Sequence, residues 1–179
     1  MSNFIIIAGI QHKFKVALFM AETNFKSERI SKEASITLNG NIKDVFPLFN
    51  AFEERKWAHG WDLDLIYPET GVLEEGTTFK TTGNGIDDSE FLWIVSKFQP
   101  DNYLIQYLVS TVNRFWTITV TCSPAGDKTN AEIMYEFTGL NDKGNEFNRL
   151  SLDKMYAHEL KDWQEAINYY LAHGKMLTH

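Results

Sequence analysis

A single cysteine, Cys122, in 179 residues excludes an internal disulfide and a thiolate metal cluster, and it fits a reducing, cytoplasmic setting. With no basic neighbour to lower its pKa, Cys122 reads as structural. No apolar run approaches the roughly 20 residues that span a bilayer. The two apolar stretches at 4–10 and 16–21 are separated by Gln11, His12, Lys13 and Lys15. Those lysines follow the first stretch, the reverse of a signal peptide, so neither secretion nor stable membrane insertion is expected. Basic runs are missing too. Lys and Arg number 17 against 24 Asp and Glu, a net charge of -7 that repels nucleic-acid backbones and anionic bilayers. No nucleic-acid partner is expected. His12, His59, His158, His173 and His179 are scattered, with no metal-binding spacing on one helix face, so no metal is expected. Gly83 and Gly85 precede a strand rather than a helix, which excludes a phosphate loop or dinucleotide fingerprint and leaves a hairpin turn. No cofactor follows.

What the chain does have is core-forming material. Hydrophobic residues make up 44% and charged residues 23%, enough for one soluble domain. Aromatic residues reach 14%, with 13 Phe, 7 Tyr and 5 Trp, which points to a large core or a lined cavity. Met20, Ala21, Glu22 and Thr23 read like an ordinary polar start, so residues 1–19 are expected to be an upstream extension outside the core domain, and residues 1–30 as a whole are set apart as an N-terminal extension of uncertain role. Residues 31–179 then form a single domain.

Along that domain, Ala34, Ile36 and Leu38 alternate with Ser35, Thr37 and Asn39, the period of a half-buried strand. Asn41 caps a helix over 42–50 that Pro47 shortens or kinks. Phe49, Phe52, Glu53, Arg55, Lys56 and Trp57 form a second helical stretch, ended by Gly60. Strand patterns follow at 62–67, 76–82, 89–98, 102–111, 114–122 and 130–139, separated by short turn clusters that join antiparallel neighbours. Residues 91–95, apolar on both phases, predict a central strand covered on two sides. Leu152, Met155, Tyr156, Leu160, Trp163, Ala166, Ile167, Tyr170 and Leu171 fall at helical spacings and predict one long amphipathic helix, ended by Gly174. The class is therefore α+β, a helix-grip arrangement: a curved antiparallel sheet of about seven strands around a long C-terminal helix, with two short helices after the first strand.

This order from Ser35 to Gly174 resembles the START-like, or SRPBCC, superfamily of pollen allergens, lipid-transfer domains and polyketide cyclases. Local strings carry the resemblance: Ile36 through Phe49, Trp57-Ala58-His59-Gly60-Trp61, Gly76-Thr77-Thr78-Phe79, and Trp93. The resemblance implies a hydrophobic cavity for a small apolar or amphipathic ligand, but it carries no catalytic motif, since such strings mark a fold rather than an activity.

Trp57, His59 and Trp61 sit at one corner and either gate a cavity mouth or cap the core. Phe79, Trp93, Tyr107, Trp116 and Tyr135 on strands, with Met155, Tyr156 and Trp163 on the helix, are either core or cavity wall. Together these are the expected ligand-binding residues. Tyr107, Tyr135 and Tyr156 are the candidate polar handles. Gln106, Asn113, Arg114 and Glu136 are polar groups in or beside strands; Arg114 either pairs with a ligand carboxylate or, the commoner fate, ends a strand in solvent. Glu132 and Glu136 share a strand face expected to point to water, and no catalytic residue is assigned. The expected function is that of a binding or carrier protein for a small hydrophobic molecule. Two alternatives stand beside it: a cyclase or dehydratase working in the same cavity, and an interaction domain resembling the activator of a chaperone ATPase.

Overall fold

A computed structural model describes residues 25–83, 89–157 and 159–178; the expected extension over 1–19 and the tip of the hairpin turn at 84–88 lie outside them. Seven antiparallel strands form one sheet: β1 (Arg29–Leu38), β2 (Asp64–Tyr67), β3 (Thr78–Thr82), β4 (Glu90–Gln99), β5 (Leu104–Ser110), β6 (Arg114–Ala125) and β7 (Lys128–Gly139). Their spatial order is β1-β7-β6-β5-β4-β3-β2. Every connection from β2 to β7 is therefore between neighbours, and only the passage from β1 to β2 crosses the sheet. That passage carries the short helices.

Asn41 ends β1's turn and accepts a hydrogen bond from the Lys43 backbone N–H at 2.9 Å, capping helix α1 (Ile42–Val45). Its amide also donates to Asp44. Pro47 falls at the start of a 3-10 turn over Phe46–Phe49, so the expected short, kinked helix is an α turn followed by a 3-10 turn. A second 3-10 turn spans Glu54–Lys56. Asn41→Ala removes the cap and is expected to cost about 1 kcal/mol in urea-induced unfolding.

The buried face of the sheet follows the two-residue period. Ile105, Tyr107 and Val109 of β5 point inward, as do Trp116, Ile118 and Val120 of β6 and Ile133, Tyr135 and Phe137 of β7. Strand β4 departs from expectation. It lies third from the β2 edge, and Leu92 and Ile94 are half-exposed rather than covered.

The C-terminal region also differs from the single helix predicted. Two helices form, α2 (Asp142–Met155) and α3 (Lys161–His173), parted by a break in which Glu159 and Leu160 take left-handed backbone angles. The break buries Leu160 and lets the Tyr156 hydroxyl reach the backbone carbonyls of Lys32 and Ile133, at 2.9 and 3.2 Å. Helix α2 starts at Asn141, whose side chain accepts from the Gly144 N–H at 2.9 Å. A Cβ at Gly144 would lie 1.9 Å from the Asn113 carbonyl oxygen, so only glycine lets this turn approach the β5–β6 hairpin. Helix α3 closes the β1 edge. Gln164 accepts from the Thr37 N–H at 2.9 Å and Asn168 from the Asn39 N–H at 2.7 Å, satisfying strand groups that would otherwise be open. Gly174 ends α3 in the left-handed region, as expected.

Candidate functional site: an aromatic cavity with one carboxyl

Between the sheet, the second 3-10 turn and α3 lies a cavity of about 230 Å³. Each element contributes for a local reason. Strands β5, β6 and β7 turn Tyr107, Ile118, Val120 and Tyr135 inward, β4 adds Trp93, and the turn region supplies Glu54, Trp57, Ala58 and Trp61. Glu54 opens that 3-10 turn, and Trp57, Ala58 and Trp61 follow it in the bends that lead to β2, so the path of the chain rather than a helix face brings the four together. Trp163, in the first turn of α3, closes the remaining side.

The rings pack edge-to-face around this space. Trp61 and Trp93 stand 5.3 Å apart at 87°, Trp57 and Trp163 5.5 Å apart at 61°, and Tyr135 and Trp163 6.4 Å apart at 70°. Three indole N–H groups are used by the protein itself: Trp57 donates to the Leu48 carbonyl at 2.8 Å, Trp61 to that of Ala51 at 2.7 Å, and Trp93 to the Thr81 hydroxyl at 3.0 Å. The Tyr107 hydroxyl donates to the Phe49 carbonyl at 2.8 Å. These bonds fix the walls. Left without a hydrogen-bond partner among the described residues are the Glu54 carboxyl and the Tyr135 hydroxyl.

Glu54 is the unusual group. Burial pushes its carboxyl up to about 8, and no nearby positive charge pulls it back. It is half-buried by exposure because the cavity itself is open space, while protein surrounds it on the far side. The Tyr107 and Tyr135 hydroxyls are held well above the ordinary phenol range, first by burial and second by the Glu54 charge. Sequence reasoning passed over Glu54 because the run Glu53-Glu54-Arg55-Lys56 looks like a solvated face. No local spacing marks it, because the turn that holds it ends at Lys56 and the other wall residues of this segment lie beyond it.

Of the expected ligand-binding residues, Trp57, Trp61, Trp93, Tyr107, Tyr135 and Trp163 are brought together on this cavity. His59 is exposed and lines an adjoining outer groove of about 290 Å³, which shares Trp57, Ala58 and Trp163 with the cavity and adds Asp162 and Glu165. Phe79 is fully buried behind the wall, 5.6 Å from Trp93 and 6.3 Å from Tyr107. Trp116 packs on Phe91 and Phe137, away from the cavity, while Met155 packs against the core and Tyr156 is tied to the sheet backbone.

Arg114 is a correction. It is buried rather than solvated, its guanidinium 5.1 Å from the Trp116 ring centre and 5.7 Å from that of Phe137, with a 2.8 Å bond to the Ser151 hydroxyl. Gln106 bonds Thr119 at 2.9 Å, Glu136 pairs with Arg29, and Glu132 is exposed, which leaves all three outside the cavity. The Cys122 thiol is pushed up to about 12 by burial, an inert environment. Among the described residues no group of three His, Cys, Asp or Glu side chains is placed to hold a metal ion, and no helix is long and apolar enough to cross a membrane.

No family model matches this sequence, and no curated protein matches it. Solved structures do. Norcoclaurine synthase from Thalictrum flavum superposes with a TM-score of 0.59 at 15% identity, over 96% of this chain and 99% of the synthase. That synthase has also been solved with dopamine and hydroxybenzaldehyde. Ara h 8.0201 superposes with a TM-score of 0.57 at 13% identity, over 81% of this chain and 99% of its own. DynU16, from the dynemicin biosynthetic locus, gives 0.53 at 15% identity, with 81% of this chain covering 48% of that one. At these identities the likeness shows the fold alone, and it agrees with the element order above: the chain has the helix-grip fold that these structures share.

Proposed function

We propose that this protein binds a small, largely apolar organic molecule inside the cavity enclosed by Trp57, Trp61, Trp93, Tyr107, Tyr135 and Trp163. The observation that carries the reading is an open volume of about 230 Å³ whose walls are held in place by hydrogen bonds to the backbone and to Thr81. A filled core would have closed it, since interiors pack to crystal density. The volume lies below the roughly 300–1,000 Å³ of sites for drug-sized ligands, so the ligand is about the size of one or two fused rings. Burial of apolar area supplies most of the affinity, at about 25 cal/mol per Å². Structural neighbours that bind small organic molecules, such as the synthase solved with dopamine and hydroxybenzaldehyde, make the same use of this fold plausible here.

Native mass spectrometry of the freshly purified protein, with organic extraction of what comes off, tests the reading. A stoichiometric small molecule is the expected result. Val120→Phe adds a ring on the cavity side of β6 and is expected to weaken a neutral two-ring fluorophore such as 2-naphthol at least about tenfold while leaving the protein folded. Unchanged binding in that variant places the ligand elsewhere and ends this reading.

A second reading is favoured by one feature. Glu54 and the Tyr135 hydroxyl face the same space unpartnered, and a carboxyl that titrates near neutrality is suited to moving protons. A cyclase or dehydratase would use them as acid and base. Turnover lost in Glu54→Gln while binding is retained separates that enzyme from a carrier.

A further inference from the structure

We propose that the ligand of this cavity carries a protonated amine, held by the Glu54 carboxylate against the faces of the surrounding indole and phenol rings. The inference rests on the binding reading above and adds the ligand's charge. Three observations carry it. First, among the described residues Glu54 is the single charged side chain lining the cavity, and it meets no cation or hydrogen-bond donor among them. A charge placed there is costly unless something pairs with it, and the protein supplies no partner. Second, the rest of the lining is dominated by rings set at steep angles to one another, so a compact cation in the space meets ring faces from more than one side. Indole faces attract cations more strongly than other rings do, and more so when desolvated. Third, the groove outside the shared Trp57 and Trp163 wall carries Asp162 and Glu165, which favour the approach of a cation and oppose an anion.

A metal ion fits poorly, because one carboxylate among rings offers too few oxygens for a hard cation. A guanidinium would leave most of its fork of donors unmet beside a single carboxylate. An amine needs one strong acceptor and apolar surroundings for its carbon skeleton. The Tyr135 hydroxyl lies on the same cavity and offers a second oxygen.

The groups that face Glu54 decide how binding depends on pH. Tyr107 on β5 and Tyr135 on β7 face it across the cavity, and Asp162 and Glu165 on α3 with His59 line the groove beyond. Both phenols titrate far above neutrality, so between pH 6 and 8 the change at the cavity floor is that of Glu54 itself, from acid to carboxylate. An amine that pairs with the carboxylate must therefore displace its proton.

Calorimetric titration with 2-(naphthalen-2-yl)ethylamine and its neutral analogue 2-(naphthalen-2-yl)ethanol tests this. At pH 8 the amine is expected to bind at least about tenfold tighter than the alcohol. Its affinity should rise about tenfold from pH 6 to pH 7, with release of about one proton, while the alcohol stays nearly constant. Glu54→Gln is expected to abolish the preference, bringing the ratio of amine to alcohol affinity close to one. The proton count on the unsubstituted protein does not depend on that variant folding. If the alcohol binds as tightly as the amine, or the preference survives Glu54→Gln, the charge assignment is wrong and the binding reading stands. Binding of the alcohol that strengthens as pH falls would make Glu54 a hydrogen-bond donor and overturn the proposal equally. If neither molecule binds, the cavity reading fails and takes the inference with it.

Discussion

Phe79→Ala is expected to lower the stability of the fold by about 4 kcal/mol, the middle of the range for removing a buried ring. Phe79 is fully buried on β3, and its ring is stacked on Trp93 at 5.6 Å and 12°, with Trp61 at 6.1 Å and Tyr107 at 6.3 Å. Those three neighbours are walls of the cavity. Deleting the ring therefore removes apolar burial, breaks aromatic contacts worth about 0.5–1.5 kcal/mol each, and opens a void directly behind an existing one. The surroundings are poorly placed to collapse into it, because Trp61, Trp93 and Tyr107 are each tied by a hydrogen bond to Ala51, Thr81 and Phe49. For a chain of this length each kcal/mol moves the melting temperature by about 2–4 °C, so a fall of about 8–16 °C is expected by scanning calorimetry. Val112→Ala, at a residue 86% exposed, serves as the control and should leave the transition in place. A loss under about 1.5 kcal/mol for Phe79→Ala would mean that the aromatic cluster repacks freely and that its hydrogen bonds do not hold the walls.

The same residue shows how the sequence does and does not disclose the structure. Phe79 was legible as a large inward-facing ring on a strand, because a sheet with one buried face imposes a two-residue period on its side chains. Strands β5, β6 and β7 were legible for the same reason. Whether an inward ring touches the cavity or stands behind its wall depends on the sheet's curvature and on neighbours distant in sequence, so Phe79 and Trp93 look alike along the chain. The break at 156–160 was hidden by a similar cause. Leu152, Met155, Tyr156, Leu160 and Trp163 keep helical spacing straight through it, and no glycine or proline marks the stop. What ends α2 is tertiary: the Tyr156 hydroxyl on the β1 and β7 backbone and the burial of Leu160. Arg114 was misjudged because charge is usually solvated, whereas here the rings of Trp116, Phe137 and Phe147 surround the guanidinium. Glu54 is the converse case. Three charged neighbours disguise it, and the fold alone turns it inward.

Glu54→Gln is expected to stabilise the protein at alkaline pH and to do nothing in acid. In the unfolded chain the carboxyl titrates near its ordinary value of 4.5, and in the folded protein burial raises it to about 8. Between those values the unfolded state has released a proton that the folded state keeps. Stability therefore falls as pH rises from about 4.5 to about 8, and above that it is flat. At about 1.4 kcal/mol per pH unit the full penalty would approach 5 kcal/mol, and water entering the cavity beside the carboxyl reduces it to about 3 kcal/mol. Glutamine keeps the size and stays neutral in both states, so the variant escapes the penalty. Its melting temperature is expected to exceed that of the unsubstituted protein by about 6–12 °C at pH 8.5, and to match it at pH 4.5. All other titrations are common to both proteins and cancel in the difference. Tyr107 and Tyr135 lie above the window in any case. A pH-independent gain would instead reflect packing. No gain at any pH would place the carboxyl in bulk water, and the cavity would then lack the unpaired charge on which its preference for an amine depends.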